Sequence, residues 1–224
     1  MPDWASYTPS DFVMFSARAY YGLFALLNRH LWPLQPVALA WGIAIAVMAL
    51  RGSPGMPRFA TLMLAAAWCG VAWLYFVREY STIHTYARWF AGAFLLEAVL
   101  LAVSAARAET PAPARSTIVI AASLLALALV IQPLLAPMFG RPWVQAELFG
   151  LAPDPTVVAT FGVMLALGVP WWAWLIPVLW VAYDAMTLRV LRSPEWMVLP
   201  LIATIAVFAT ASLWYASRPP RSTA

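Results

Sequence analysis

Apolar residues dominate the chain from position 34 to position 217, and they fall into seven continuous runs. The runs are 34–50, 59–77, 86–106, 116–137, 156–168, 171–191 and 196–217. A helix that crosses a bilayer needs roughly 17 to 25 apolar residues, and six of these runs are long enough. The runs lack the alternation of barrel strands, so the backbone must satisfy its own hydrogen bonds as helices. The pattern predicts an all-α, polytopic transmembrane helical bundle of about seven spans, one of them short.

The exception is the run 156–168, which has 13 residues and ends at Gly168 and Pro170. It is either a short tilted span or a half-helix that re-enters the same face, and we favour the short span. The next run contains Pro177, which lacks a backbone N–H and predicts a kink in that helix.

The segment 1–33 differs, because its polar residues follow a helical period. Thr8-Pro9-Ser10-Asp11 is a helix-start signal. One face of the following helix carries Arg18, Gly22, Ala25 and Arg29, and the other carries Tyr20, Leu23, Phe24, Leu27 and Leu31. This predicts an amphipathic helix in the membrane interface, apolar side down, that ends at Trp32-Pro33. The rival interpretation is an eighth span. The predicted divisions are 1–33, the bundle 34–217 and a polar tail 218–224.

The loop 138–155 returns to the same membrane face as the N-terminal helix, so we expect the two to touch. Glu147 or Asp154 of this loop would then meet Arg18 or Arg29 as a rim ion pair.

Composition supports a membrane protein and argues against a soluble domain, a nucleic-acid-binding protein and a cysteine-based site. The chain is 64% hydrophobic and 10% charged, too apolar for a soluble domain of this size. All 13 basic residues are Arg, and they are scattered among loop ends, so no nucleic-acid footprint is evident. Cys69 is the only cysteine, which excludes an intrachain disulfide or a cysteine-based metal site. The start Met-Pro-Asp-Trp lacks a basic n-region, so we expect no removable signal peptide.

No set of residues points to catalysis. There is no nucleophile–base–acid arrangement, Gly-rich phosphate loop or metalloprotease motif. His30 and His84 are the two histidines, and they lie at helix ends rather than deep in spans. We therefore expect no metal and no cofactor, and the chain is more typical of a non-enzyme.

Glu97 and Asp184 are carboxylates inside apolar runs, where a charge is costly and is usually retained for a reason. Glu97 lies mid-span on the least apolar face of its helix, so it should face the bundle and find a hydrogen-bond partner there. It either exchanges a proton or cation, or is a structural acid. Asp184 either belongs to the same polar site or pairs with Arg189 or Arg192 near the interface.

Three segments carry a resemblance to a known family. They are YTPSDFVMFSARAYYGLFALLNRHLWPLQ (7–35), GRPWVQAELFGLAPDPTVVAT (140–160) and IPVLWVAYDAMTLRVLRSPEWMVLPL (176–201). They resemble a family of bacterial multi-pass inner-membrane proteins of unknown function, some loosely labelled permease. A major-facilitator fold does not fit, since such permeases have about twelve spans. A site shared by the family would lie around these residues: Asp11, Arg18, Asn28, Arg29, Trp32, Arg141, Trp143, Glu147 and Asp154.

The resemblance places the chain in a bacterial inner membrane, but the Arg residues divide almost evenly between its two faces. We choose an orientation with the N-terminus outside and the C-terminus inside. Besides the lipid bilayer, expected partners are further copies of the chain or a larger membrane complex, and no nucleic acid.

Two function classes remain. The first is a small transporter or permease subunit that moves a solute or proton along a polar path past Glu97. The second is a non-catalytic accessory or assembly subunit of a larger membrane complex. Transport predicts a cavity lined by polar groups, whereas an accessory role predicts a filled bundle with an exposed apolar flank.

Overall fold

The computed structural model describes residues 13–51, 53–106 and 115–216, and these contain helices and no strands. The α-helices are α1 (Ala17–His30), α2 (Leu34–Arg51), α3 (Met56–Val71), α4 (Ala87–Ala106), α5 (Arg115–Ala126), α6 (Gln132–Met138), α7 (Pro153–Leu167), α8 (Leu175–Val190) and α9 (Val198–Ala216). The all-α prediction is confirmed.

Six helices are long and apolar enough to cross a membrane, and they correspond to the six long runs of the sequence. They are Leu34–Arg51, Met56–Thr82, Ala87–Ala106, Arg115–Met138, Trp171–Val190 and Pro194–Ser212. The protein is therefore a membrane-embedded, multi-pass helical protein.

Helix α7 is the short apolar run, and all 15 of its residues are buried. Its apolar residues lie on every side, which is typical of a helix enclosed by protein. At about 22 Å it is shorter than the hydrocarbon core of roughly 30 Å. Gly162 lets α5 approach closely, because a Cβ there would lie 2.8 Å from Leu125 Cγ and 3.1 Å from the Ala121 carbonyl oxygen. Gly168, with φ of 63°, ends the helix.

Pro177 lies inside the span Trp171–Val190, as predicted, and close to a change of helix type. A 3₁₀ turn, Trp171–Trp174, precedes α8, and the α-helix begins at Leu175. Pro177 falls in the first turn of the α-helical part, where it supplies no N–H to the preceding turn. The kink at this position stays a prediction.

Helix α1 begins at Ala17, where Ser16 caps it by accepting a hydrogen bond from the Ala19 N–H at 3.2 Å. The predicted start signal, residues 8–11, lies outside the described residues. The predicted apolar face is buried, but protein covers it rather than lipid. Phe24, for example, stacks on Tyr75 of the π-helical segment Ala72–Glu79 that continues α3.

The predicted contact between α1 and the loop before α7 is confirmed. The Asn28 side-chain amide donates to the carbonyl oxygens of Val144 at 2.9 Å and Ala146 at 2.8 Å. These bonds fix the loop against the C-terminal half of α1, which positions the polar residues described next.

Candidate functional site

Four carboxyl side chains meet inside the protein, close to the end of the bundle where α1 lies. They come from the loop before α7, the first turn of α7, the C-terminal half of α8 and the 3₁₀ helix Pro194–Met197. We call them the acid cluster: Glu147, Asp154, Asp184 and Glu195. All four are buried, and with Gln132 they line an internal cavity of about 10 Å³. That volume has room for about one water molecule.

Arg141 is the cation of this site. Its Nε and Nη2 atoms donate to the two carboxylate oxygens of Glu195 at 3.0 Å and 2.7 Å. Nη2 also lies 3.6 Å from Glu147 Oε1, and Nη1 donates to the Gln145 carbonyl oxygen at 3.1 Å. The guanidinium carbon lies 4.0 Å from the centre of the Tyr21 ring. A two-point pair of this kind neutralises one carboxylate and fixes its orientation.

The two aspartates are held by aromatic donors. The Trp180 indole donates to Asp154 Oδ1 at 2.8 Å, and the Tyr20 hydroxyl donates to Asp184 Oδ1 at 3.2 Å. Asp184 Oδ2 and Glu147 Oε2 are buried and have no hydrogen-bond partner in the described part of the chain. Asp184 and Glu147 thus each have one carboxyl oxygen in contact with a partner and one without a partner among the described residues.

If every member were ionised, the acid cluster and Arg141 would carry an excess of three negative charges in a site shielded from water. An unpaired buried carboxylate is too costly to persist, so some members must hold protons or share a cation. Burial raises the pKa of Glu147 well above its usual range, with the charge of Asp154 adding to the rise and Arg141 opposing it. Among the residues described, no group of three or more His, Cys, Asp or Glu side chains is arranged to hold a metal ion.

Asp184 does not pair with Arg189 or Arg192, as one interpretation of the sequence proposed. It points inward to Tyr20, whereas the Arg189 guanidinium lies 5.3 Å from the centre of the Trp196 ring. Five residues along a helix rotate a side chain by about 140°, so Arg189 lies on another face.

The predicted rim pairs of Arg18 or Arg29 with Glu147 or Asp154 are wrong. Arg18 and Arg29 are on the exposed face of α1 and make no ion pair within the described ranges. The two acids turn away from them into the bundle, where Arg141 and Trp180 are their partners. Asp11, the remaining acid of the predicted face, lies outside the described residues.

Glu97 is completely buried in α4, as predicted, but the predicted hydrogen-bond partner is wrong. Neither carboxyl oxygen has a partner among the residues described. The buried face of α4 around it is apolar, with Phe94, Ala98 and Leu101. Glu97 also stands apart from the lining of the acid-cluster cavity.

A second polar group lies next to the acid cluster along α8. The Tyr183 hydroxyl is 2.7 Å from the Tyr80 hydroxyl and 3.2 Å from His84 Nε2. His84 Nδ1 accepts from the Tyr86 N–H at 3.1 Å, which leaves Nε2 to donate to Tyr183. Burial lowers the pKa of His84 and so favours the neutral ring. Because Tyr183 directly precedes Asp184, this group connects the loop after Thr82 with the surroundings of the acid cluster.

Seven of the nine residues predicted for a shared face divide into two sets; Arg18 belongs to neither, and Asp11 lies outside the described residues. Arg141, Glu147 and Asp154 are in or beside the acid cluster, as described above. Asn28, Arg29, Trp32 and Trp143 instead line an open groove of about 610 Å³ between the end of α1 and the loop before α7.

Sequence reasoning missed Tyr20, Tyr21, Trp180 and Glu195, which complete the site. A signal for them was present, since each lies within one of the three segments that carry the family resemblance. The structure brings those segments together: Tyr20 from the first, Glu147 and Asp154 from the second, and Asp184 and Glu195 from the third. Their meeting point could not be read from the sequence, because the segments are far apart along the chain.

The chain belongs to DUF6064, a family of unknown function, which it matches over residues 17–218. This agrees with the resemblance to a family without an established activity. No curated protein matches the chain, and no solved structure matches it.

Proposed function

We propose that this member of DUF6064 is a small proton-linked membrane transporter, or a subunit of one, and that the acid cluster binds the moving proton. One observation carries the proposal. Four buried carboxyls surround a small cavity with one cationic partner, and two of them keep an oxygen without a hydrogen bond in the described part of the chain. Ionisable residues inside membrane proteins commonly mark proton relays.

The arrangement suits the exchange of a proton, because only one of the four carboxyls is held in a two-point ion pair. Glu195 is held by Arg141 at two points, so it serves as a permanent negative partner. Asp184 is oriented by Tyr20 through one oxygen, which leaves the other to take a proton from water and return it. Glu147 is similar: Oε1 faces Arg141, and Oε2 is available to take a proton.

The proposed path continues past Glu97. This residue lies about 15 Å along α4 from its start at Ala87. It would be the second carboxyl on the route to the opposite face. At the near end, His84 and Tyr183 form the proposed entrance, because their side chains are linked beside Asp184.

The test is proton flux in proteoliposomes. The purified protein is reconstituted, a potassium diffusion potential is imposed, and internal pH is followed with a trapped dye. We expect Asp184→Asn and Glu147→Gln to reduce flux at least about tenfold, since neither amide can carry the proton. The matched control is Glu79→Gln, a buried carboxyl outside the cluster that contacts His30 at 3.2 Å, and its flux should equal that of the unaltered protein.

Folding is checked by size-exclusion profile and unfolding temperature, so that a lost flux is attributed to chemistry. A flux that depends on sodium rather than on the pH difference would replace the proton with a cation. Full flux in both cluster variants, or none in the unaltered protein, would refute the proposal. Glu97→Gln then decides the deeper part of the path, because it should block flux only if the proton passes that carboxyl.

An accessory subunit is the second candidate, and the exposure of α2 favours it. Only 17% of the residues in Leu34–Arg51 are buried within the chain, so a second copy or a larger membrane complex has an open apolar flank to cover. Purification in a mild detergent, followed by native mass, tests this role. An accessory subunit should remain bound to other chains and show no flux by itself.

The proposed location is a bacterial inner membrane with the N-terminus outside. Single cysteines at Ser81 and Ser53, placed in a Cys69→Ala background, should lie on opposite faces, because Ser81 is at the C-terminal end of the long helix Met56–Thr82 and Ser53 precedes its N-terminal end. A membrane-impermeant thiol reagent applied to intact cells should label Ser81→Cys alone. Labelling of Ser53→Cys instead would reverse the orientation.

A further inference from the structure

Two grooves on the outside of the bundle meet at Pro133. The first, of about 610 Å³, lies at the end of α1 and includes Arg29, Trp32, Gln35 and Trp143. The second, of about 540 Å³, runs along α2 against the helix Arg115–Met138 and has an apolar lining. Its lining includes Leu39, Ile43, Val47, Ala126, Leu129 and Val130. We call the two together the amphipathic cleft.

The polar half of the cleft has one cation and unused donors. Arg29 is exposed and forms no ion pair or hydrogen bond within the described residues. Trp32 and Trp143 are 68% and 61% exposed, and neither indole donates a hydrogen bond in the described structure. By contrast, the side-chain amide of Gln35 is occupied, since it donates to the Asn28 carbonyl oxygen and side chain at 2.8 Å and 3.1 Å. The groove therefore offers a guanidinium and two indoles to an anion.

The apolar half has the length of one acyl chain in one leaflet. From Leu39 to Leu50 the groove follows α2 for about 16 Å at the helical rise. One leaflet contributes about half of the hydrocarbon core, roughly 15 Å. The two halves lie in the order that a lipid requires, because α2 leaves the polar end at Gln35 and then enters the apolar groove at Leu39.

We propose that the amphipathic cleft binds one anionic phospholipid, with the headgroup phosphate at Arg29 and an acyl chain along α2. Lipid touches every exposed flank of a membrane protein, but this position adds a recess and a cation at its mouth. Charge complementarity selects an anionic headgroup, and Arg suits phosphate because its planar fork donates at two points. A soluble phosphate would use only the polar half and would leave the adjoining apolar groove without a role.

The test is competition for the purified full-length protein, monitored by native mass spectrometry in detergent. Phosphatidylglycerol and phosphatidylcholine with identical acyl chains are supplied in equal amounts after delipidation. We expect one phosphatidylglycerol to be retained, with a preference of about tenfold, which corresponds to roughly 1.4 kcal/mol. Arg29→Gln should abolish that preference. The matched control is Arg18→Gln, because Arg18 is exposed on the same helix outside the cleft.

Two further measurements separate the sources of binding. Ala126→Trp should fill the apolar half and reduce retention of both lipids, since Ala126 is exposed in the groove. Excess inorganic phosphate should not displace phosphatidylglycerol. Displacement by phosphate would replace the lipid site with an anion site. Equal retention by the Arg29 and Arg18 variants, or no effect of Ala126→Trp, would overturn the proposal. The outcome is independent of the proton proposal, because these substitutions leave the acid cluster intact.

Discussion

The acid cluster and Glu97 are both buried carboxyl groups in an apolar bundle, but their surroundings differ. In the acid cluster the carboxyls come from four separate elements and have Arg141, Tyr20 and Trp180 as partners. Glu97 has an apolar surrounding and no hydrogen-bond partner in the described part of the chain. All five carboxyls are buried, so burial alone does not distinguish a site from an isolated acid.

The difference between them lies in what happens when one group is changed. In a connected cluster, removal of one partner leaves another buried charge or donor unsatisfied, which is expensive. In an isolated carboxyl, removal relieves the cost of burying it. The cluster therefore couples protonation to its neighbours, whereas Glu97 acts alone unless water or a moving proton reaches it.

The largest expected effect is from Arg141→Gln. It leaves Glu195 and Glu147 buried without their cation, and it should lower the free energy of unfolding by about 3–5 kcal/mol. Thermal unfolding in detergent measures this, with Arg18→Gln as the exposed control. The double variant Arg141→Met with Glu195→Met should regain most of the loss, because it removes both charges. An unaltered unfolding temperature in Arg141→Gln would show that the pair contributes nothing.

Next in size is a pair of substitutions with opposite signs. Glu97→Met should raise the free energy of unfolding by about 1–3 kcal/mol, since it removes a buried group that has no partner in the described structure. Asp184→Val should lower it by a similar amount, because the Tyr20 hydroxyl, which donates to Asp184 at 3.2 Å, loses its acceptor. Unfolding temperatures measured side by side test the contrast. The same sign for both would mean that the two sites do not differ as described.

An effect that is smaller within any one pH unit should appear in the pH dependence of stability. Burial raises the pKa of Glu147 in the folded protein, and Asp154 and Glu195 add to the rise while Arg141 opposes it. Between the unfolded pKa and the raised folded pKa, the folded state holds more protons, so stability falls as pH increases. The free energy of unfolding should therefore decrease by up to roughly 1.4 kcal/mol for each pH unit within that interval.

The matched variant for this pH experiment is Glu147→Gln, which cannot ionise. It should lose less stability than the unaltered protein as the pH is raised above the ordinary pKa of a Glu side chain, because only the unaltered protein must give up the Glu147 proton. Unfolding temperatures of the two proteins, measured across this pH range, provide the comparison. Parallel curves would contradict this account.

The smallest change is expected at the rim. Glu79 contacts His30 at 3.2 Å, and the His30 side chain is 55% exposed. Solvent screens such a pair, so Glu79→Gln should change the free energy of unfolding by less than about 1 kcal/mol. The same unfolding assay measures it, and a loss as large as that of Arg141→Gln would mean that the rim belongs to the acid cluster.

The sequence alone determined the class of protein and most of its helices. Continuous apolar runs specify helices in a membrane because lipid offers no hydrogen bonds to the backbone, so the six long runs appear as six long helices. The amphipathic period likewise identified which side of α1 would be buried. These are local properties, because hydropathy and helical period depend on neighbouring residues.

Only the tertiary structure decided which side chains meet. The sequence allowed the apolar face of α1 to be covered either by lipid or by protein. In the structure it is covered by protein, because it packs against aromatic side chains of the π-helical segment Ala72–Glu79. Glu147 could pair with several Arg residues, and Arg141 lies closest because the loop before α7 folds inward. Glu97 and Asp184 looked alike in the sequence, yet only Asp184 has neighbours from α1 and the acid cluster. Such partners depend on contacts between residues far apart in the chain, and no local pattern encodes them.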